Sequence, residues 1–177
     1  MSGWISMACG LAGPDGAVVR ASLVGVKGSS PREAGAMMLI TPHTIWQTIG
    51  GGTLEHQVMS RARDMMNSAQ SMTDSARAGW HREVMKAVLG PDMGQCCGGQ
   101  VRVLLEHFGP PELTALAALQ DAPFLTHPLA GSAPVTAAST SESGLSPAGD
   151  AFTAPVIRRQ HALFLYGAGH IGRALAP

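Results

Sequence analysis

The chain has 177 residues, of which 45% are hydrophobic, and its 12 lysines and arginines balance its 12 aspartates and glutamates. A neutral chain of this length can bury one ordinary core, but it has no long-range field that would draw it to nucleic acid or to an anionic membrane. No run of about eighteen apolar residues predicts a membrane span, and the opening residues lack the positive charge of a secretory signal. We therefore expect a cytoplasmic protein whose three cysteines stay reduced.

The first half of the chain alternates predicted strands with one helix. β-Branched and apolar residues predict strands at 17–26, 36–40 and 44–49, and the last two flank Pro42 in a short connection that suits a hairpin. Apolar residues then recur at helical spacing from Leu54 to Met66, and Thr53 could cap the first turn of that helix.

The second half completes a small α/β layer and then changes composition. The pattern at 83–89 fits a helix as well as a strand, and we favour a strand; 101–105 predicts a strand, and 111–119, which opens with proline, predicts a helix. These elements define an α/β domain at 1–120 with a small mixed sheet. Residues 121–155, rich in Ala, Ser, Thr, Gly and Pro, predict a linker. Residues 156–177 predict the first strand and glycine turn of a Rossmann-like domain.

Two glycine-rich turns could receive an anion. Ser29, Ser30 and Arg32 place two hydroxyls and a guanidinium at the end of a strand, which suits a phosphate, although on the segment alone an ordinary turn with a solvated arginine is favoured. Gly51 and Gly52, in the triple-glycine run, let a backbone approach a ligand before a helix whose first N–H groups attract negative charge.

Glu55 follows that run, and two roles remain open for it. Its carboxylate could accept a hydrogen bond from a pterin-like N–H edge, or it could simply complement the helix dipole in the first turn.

The paired cysteines carry the most chemical information. Cys96 and Cys97 stand between Gln95 and the glycines Gly98 and Gly99. Adjacent cysteines have Cα atoms about 3.8 Å apart, below the usual disulfide range, so free thiols are expected. Backbone N–H donors in such a turn favour the thiolate, the form that attacks sulfur or contacts a soft metal. The alternative is a pair of small buried side chains beside a bend. No second ligand pair with recognisable spacing supports zinc.

A fourth glycine turn follows an apolar strand at 161–166. Gly167, Gly169 and Gly172 have the spacing of a dinucleotide-binding fingerprint. Such a site also needs a complete helix, a second strand and an acidic residue about twenty positions further on, and the sequence continues only to Pro177. NAD(P) binding by this chain alone is therefore not expected.

In this order, the four motifs resemble the XdhC/CoxI family of xanthine dehydrogenase accessory proteins, over roughly residues 15 to 177. The resemblance implies a chaperone that binds the molybdenum cofactor (molybdopterin), protects it while a cysteine desulfurase supplies sulfur, and inserts it into xanthine dehydrogenase. It also implies a homodimer with a C-terminal Rossmann-like domain, of which this chain carries only the beginning.

Carried over to this sequence, the resemblance places cofactor contacts at three turns. They are Gln95, Cys96, Cys97, Gly98 and Gly99, then Ser29, Ser30 and Arg32, and then Gly51, Gly52 and Glu55. Cys97 or Cys96 would lie near the molybdenum, and no residue is expected to be catalytic. Two other functions remain open: an NAD(P)-binding oxidoreductase built on the glycine fingerprint, and a thiol-based sulfur carrier that uses the cysteines without a pterin.

Overall fold

A computed structural model describes residues 3–13, 16–71, 79–90 and 98–156, and its centre is a five-stranded antiparallel sheet. The strands lie in the order β3-β2-β1-β5-β4. Their bounds are β1 Val18–Lys27, β2 Met37–Ile40, β3 Ile45–Gln47, β4 His81–Val88 and β5 Gln100–Phe108. The long strands β1 and β5 occupy the middle and are almost entirely buried, as their apolar sequences require.

One face of this sheet is covered by helix α2, Gly52–Ser71. The helix turns Leu54, Val58, Ala62 and Met66 inward at the spacing of an amphipathic helix, and they pack on alternate residues of the central strands. The sheet therefore buries its first hydrophobic core against a single helix.

The opposite face is covered by two short helices and a second sheet. Helix α1 spans Trp4–Ala12 and helix α3 spans Pro110–Ala117, and both pack on the apolar ends of β1 and β5. The second sheet is antiparallel, in the order β7-β6-β9-β8. Its strands are β6 Phe124–Pro128, β7 Thr136–Ala137, β8 Gly144–Leu145 and β9 Ala151–Pro155.

Most elements expected from the sequence are confirmed. The fold is α/β, the strand favoured at 83–89 is part of β4, and the hairpin around Pro42 joins β2 to β3. The described strand pairs are all antiparallel. Thr53 is not the helix cap, because α2 already begins at Gly52. Helix α1 was not predicted, since its few polar residues hide the helical period.

The linker expected at 121–155 is wrong, because these residues form the second sheet. Composition missed a local pattern: β6 and β9 both alternate buried and half-buried residues. Leu129, Phe152 and Ala154 pack on Val24 and Leu104 of the main sheet. The segment needs few apolar residues of its own, because it packs on apolar residues of the main sheet that would otherwise face solvent.

Of the Rossmann-like start predicted at 156–177, Val156 is described, and it is buried. The strand at 161–166 and the turn at Gly167, Gly169 and Gly172 lie outside the described residues. Within the described ranges, no helix is both long and apolar enough to cross a membrane.

Candidate functional site

Three of the sequence motifs meet at one end of the main sheet. The β1–β2 connection carries Ser29 to Arg32, the β3–α2 connection carries the triple glycine, and the β4–β5 connection carries the paired cysteines. In an antiparallel sheet, the end of one strand lies beside the start of its neighbour. The order of the strands therefore brings these connections to the same edge, although they are up to about seventy residues apart in sequence.

The last residue of the β4–β5 connection, Gly99, lies against the backbone of the β1–β2 connection. A Cβ atom added to Gly99 would overlap the carbonyl oxygen of Ser29 and lie 2.9 Å from the carbonyl oxygen of Lys27. A Cβ atom on Gly28 would lie 3.2 Å from the Cα atom of Gly99. The N–H of Leu89 donates to the carbonyl of Gly99 at 2.7 Å and closes the base of the β4–β5 loop. Glycine at 99 thus lets two backbones touch.

The triple-glycine loop packs on the other side of the first loop. A Cβ atom added to Gly50 would lie 2.7 Å from Cγ of Pro31, and Gly50 itself has a φ of 132°. Gly51 and Gly52 also have positive φ, and so does Gln47, the one non-glycine residue with this conformation in the described chain. Glycine adopts a positive φ without strain, whereas Gln47 does not, and strained residues cluster at binding sites and switches.

Glu55 holds the triple-glycine loop in place. Its Oε2 atom accepts hydrogen bonds from the N–H groups of Ile49 and Gly51, both at 3.1 Å, and from the hydroxyl of Thr48. The same hydroxyl accepts the N–H of Gly50 at 3.0 Å. A negative side chain therefore already occupies the N-terminal end of α2, where it also complements the helix dipole.

This arrangement corrects the expected role of the loop. The sequence predicted that the turn and the start of α2 would offer N–H groups to an anion, but the N–H groups of Ile49, Gly50 and Gly51 are bonded within the loop. A phosphate placed here would also face the Glu55 carboxylate. The loop can contact a ligand through its open glycine backbone, since nothing lies within 4 Å of a Cβ atom built on Gly51.

A Glu55→Gln substitution is expected to loosen this loop. A neutral amide oxygen accepts three donors less strongly than a carboxylate, so we expect the free energy of unfolding to fall by about 1 kcal/mol. Amide exchange at Ile49 and Gly51 should accelerate, as hydrogen exchange followed by NMR would measure. Glu33→Gln is the matched control, because Glu33 is an exposed acid in the neighbouring loop. Equal exchange rates in both variants would contradict the role given to Glu55.

The remaining predicted residues of the site differ in exposure. Arg32 is exposed, Gly98 is exposed, and Gly99 is buried. The Ser30 hydroxyl oxygen is buried and has no hydrogen-bond partner among the described residues. Gln95, Cys96 and Cys97 lie outside the described residues. The neighbouring contacts nevertheless fix where their turn ends, at Gly98 and Gly99 beside Ser29.

The described residues contain no group of three His, Cys, Asp or Glu side chains that could hold a metal. They offer open glycine backbone at Gly51 and a buried Ser30 hydroxyl that has no hydrogen-bond partner among the described residues. Such a donor set suits a large ligand held by many weak contacts.

Sequence analysis missed a buried group of charges on the face opposite α2. Arg20 and Arg82 lie opposite Glu106 on the two strands that flank β5, and His127 reaches it from β6. Arg20 donates to Glu106 at 3.0 Å, and His127 Nδ1 lies 3.0 Å from the same carboxylate. The guanidinium of Arg20 also lies 4.7 Å from the ring centre of Trp4. The detectable signal was a charge within the apolar part of each central strand, Arg20 in β1 and Glu106 in β5.

These charges shift one another's ionisation. Burial alone would raise the pKa of the Glu106 carboxyl, but His127, Arg20 and Arg82 together hold that pKa below its ordinary value. Burial lowers the pKa of His127, and the two arginines lower it further against the opposing effect of Glu106. His127 is therefore neutral at pH 7, and the group joins the two sheets as an ion pair with a neutral hydrogen-bond partner.

The fold and the described part of the site define an α/β protein in which three glycine-containing loops meet at one end of the main sheet. Residues 12–75 match the model of the XdhC and CoxI family, which confirms the resemblance found in the motifs. The matched segment contains the Ser29 to Arg32 loop and the triple-glycine loop, two of the three that meet at the site. No curated protein matches the chain significantly.

A solved structure, named as a xanthine dehydrogenase from Bacillus halodurans, has the same fold. It is 23% identical to this chain with a TM-score of 0.51, and the match covers 96% of this chain. The chain spans 46% of the length of that protein. At this level of identity, the likeness supports the fold alone.

Proposed function

We propose that this chain acts in the maturation of xanthine dehydrogenase, by binding the molybdenum cofactor, protecting it during sulfuration and delivering it to the enzyme. The observation that carries the proposal is the meeting of three glycine-rich loops at one sheet edge, within a chain whose residues 12–75 match the XdhC and CoxI family. No catalytic residue is proposed, because the chain's task is to hold and transfer a cofactor.

Each part of the site has a stated role. Cys97 and Cys96 present thiolates to the metal-bearing end of the cofactor, with Gln95 and Gly98 beside them, and Gly99 seats their turn on the Ser29 backbone. The β1–β2 connection contacts the pterin through Ser29, Ser30 and Arg32.

Gly51 and Gly52 allow close approach on the far side, and Glu55 keeps that loop in shape. When bound, the cofactor supplies the redox-active molybdenum and its sulfur ligands; the chain supplies cover from water and release.

The same proposal names the partners. Xanthine dehydrogenase receives the cofactor in the cytoplasm, a cysteine desulfurase supplies the sulfur, and the protein acts as a homodimer. The neutral net charge is consistent with recognition through shape and short-range contacts rather than through a strong field.

Replacement of the paired thiols tests the proposal. The full chain and its Cys96→Ala and Cys97→Ala variants would be mixed with molybdenum cofactor released from a molybdoenzyme and then freed of unbound ligand. Bound molybdenum would be measured by elemental analysis and bound pterin by fluorescence after oxidation. We expect at least one variant to retain about tenfold less cofactor, the loss of roughly one charge-assisted contact.

Cys9→Ala is the matched control, because Cys9 is an exposed free thiol on α1. Full retention of molybdenum and pterin by both variants would overturn the proposal. Persulfide on Cys96 or Cys97, with no bound pterin in the parent protein, would instead favour the sulfur carrier. Tight binding of NADH would favour the oxidoreductase.

A further inference from the structure

A groove of about 520 Å³ is lined by residues at the end of β1, the end of β4 and the start of β5. Met85, Ala87 and Val101 turn toward the α2 core, so the residues between them, Lys86 and Arg102, turn to the opposite face. Lys27 also lines the groove. The groove thus has three cationic side chains and, among the described residues that line it, no carboxylate.

The strand register places these cations on two neighbouring rungs. Lys86 lies directly opposite Arg102, which in turn lies opposite Gly25. On the next rung, Lys27 and Val88 lie on either side of Gln100. Paired residues point to the same face with Cβ atoms about 5 Å apart, so the cations face one space.

This placement costs stability in the absence of an anion. Like charges directly opposite each other on paired strands repel. The Arg102 Nε atom is buried and has no hydrogen-bond partner among the described residues, and the Arg102 stem lies 3.4 Å from the position of a Cβ atom on Gly25. The missing side chain at Gly25 makes room for the arginine stem.

The groove is also open at its rim, and one of its residues is close in sequence to the paired cysteines. Val88, at its rim, is 63% exposed, the largest value among the exposed apolar side chains of the described chain. Gln100 follows Cys97 by three residues, a span of at most about 10 Å in extended chain. This short separation allows one ligand to contact both the thiols and the groove.

We propose that this groove binds the phosphate end of the cofactor through Lys27, Lys86 and Arg102. The inference rests on the proposed function and deepens it, because it moves the phosphate away from the triple-glycine loop. That loop carries the Glu55 carboxylate and has its N–H groups already bonded. Arg32 supplies one exposed charge, whereas the groove gathers three. Arginine and lysine donors at one point are the usual means of holding a phosphate.

Titration with inorganic phosphate tests the groove without the cofactor. The full 15N-labelled chain would be titrated while amide shifts are followed, and shifts are expected at Lys86, Val88 and Arg102. Lys86→Gln and Arg102→Gln should each raise the dissociation constant about tenfold, because each removes one charge-assisted contact. Both variants should fold, since each removes a repulsion between paired strands. Arg61→Gln is the matched control on α2. Arg32→Gln tests whether the β1–β2 connection binds the phosphate instead of the groove.

The outcomes separate this inference from the proposed function. Unchanged phosphate affinity in Lys86→Gln and Arg102→Gln, or a loss confined to Arg32→Gln, would overturn the groove while leaving the cysteine site standing. Weakened phosphate binding in the groove variants, together with lower retention of the whole cofactor, supports both. Phosphate binding in the groove by a protein that holds no molybdenum cofactor would overturn the assignment of the phosphate to that cofactor.

Discussion

Gly99→Ala should separate the end of the cysteine turn from the β1–β2 connection, which contains Ser29. The added methyl group would overlap the Ser29 carbonyl oxygen and lie 2.8 Å from its carbon. No side-chain rotation can relieve a contact between two backbones, so one strand end must shift. We expect the free energy of unfolding to fall by about 3 kcal/mol, at the upper end of overpacking costs. For a chain of this size, the melting temperature should fall by about 10 °C.

The neighbouring glycine provides a control with the same chemical change. A Cβ atom on Gly98 meets nothing within 4 Å, so Gly98→Ala should change the free energy of unfolding by less than about 1 kcal/mol. Urea unfolding of the two variants would measure the difference. Similar stabilities for both would mean that Gly99 and Ser29 are not in backbone contact.

The same substitution should affect ligand binding beyond its effect on stability. At a temperature where the Gly99→Ala protein is still folded, it should retain less molybdenum cofactor than Gly98→Ala, because the end of the cysteine turn, Gly99, is displaced from Ser29. The contact therefore has two readouts, one in unfolding and one in binding.

Sequence alone predicted the elements of the site better than their chemistry. The periodicity of β1 and α2 was strong enough to place both elements, since buried strands and amphipathic helices have distinct repeats. The glycine motifs were also recognised as turns from local sequence, because runs of glycine with serine or proline are typical of turns. What local pattern could not show was that Gly50 packs on Pro31 and Gly99 on Ser29, because those contacts depend on strand order.

One question that the sequence left open and one error have a common physical origin. The Glu55 carboxylate was open to two readings because sequence does not show which N–H groups are already bonded, and three loop donors turn out to converge on it. The second sheet was mistaken for a linker because composition ignores the apolar surface that other elements leave uncovered. In both cases, the deciding contact is made in the folded chain, and the local sequence pattern does not show it.

The groove is a feature that sequence alone could not show, because it depends on the register between β4 and β5. Lys86 and Arg102 are sixteen residues apart, and neither stands in a basic cluster. Only the antiparallel pairing of β4 with β5 places them opposite each other. Like charges directly opposite each other on paired strands are destabilising, and a bound anion would relieve that repulsion.

Glu106→Ala should have the largest effect on stability of any single charge removal. Glu106 is 1% exposed and is the one carboxylate described beside Arg20, Arg82 and His127. Removing it leaves buried positive charge without its counterion, which typically costs about 3 to 5 kcal/mol. Arg61→Ala is the control, because its ion pair with Glu83 is about half exposed and contributes about 1 kcal/mol or less. Equal unfolding midpoints in urea would show that the buried charges do not join the sheets.

The same group should make the fold sensitive to acid. His127 is neutral when folded because its pKa is lowered, so the unfolded chain binds a proton first as pH falls below about 6.5, and stability is lost from that point downward. The lowered pKa of Glu106 adds a second loss below about 4.5. Between pH 7 and pH 5, His127→Gln should therefore lose less stability than the parent protein. His43→Gln, at an exposed turn, should follow the parent; if His127→Gln does so too, His127 is protonated equally in both states and does not couple folding to pH.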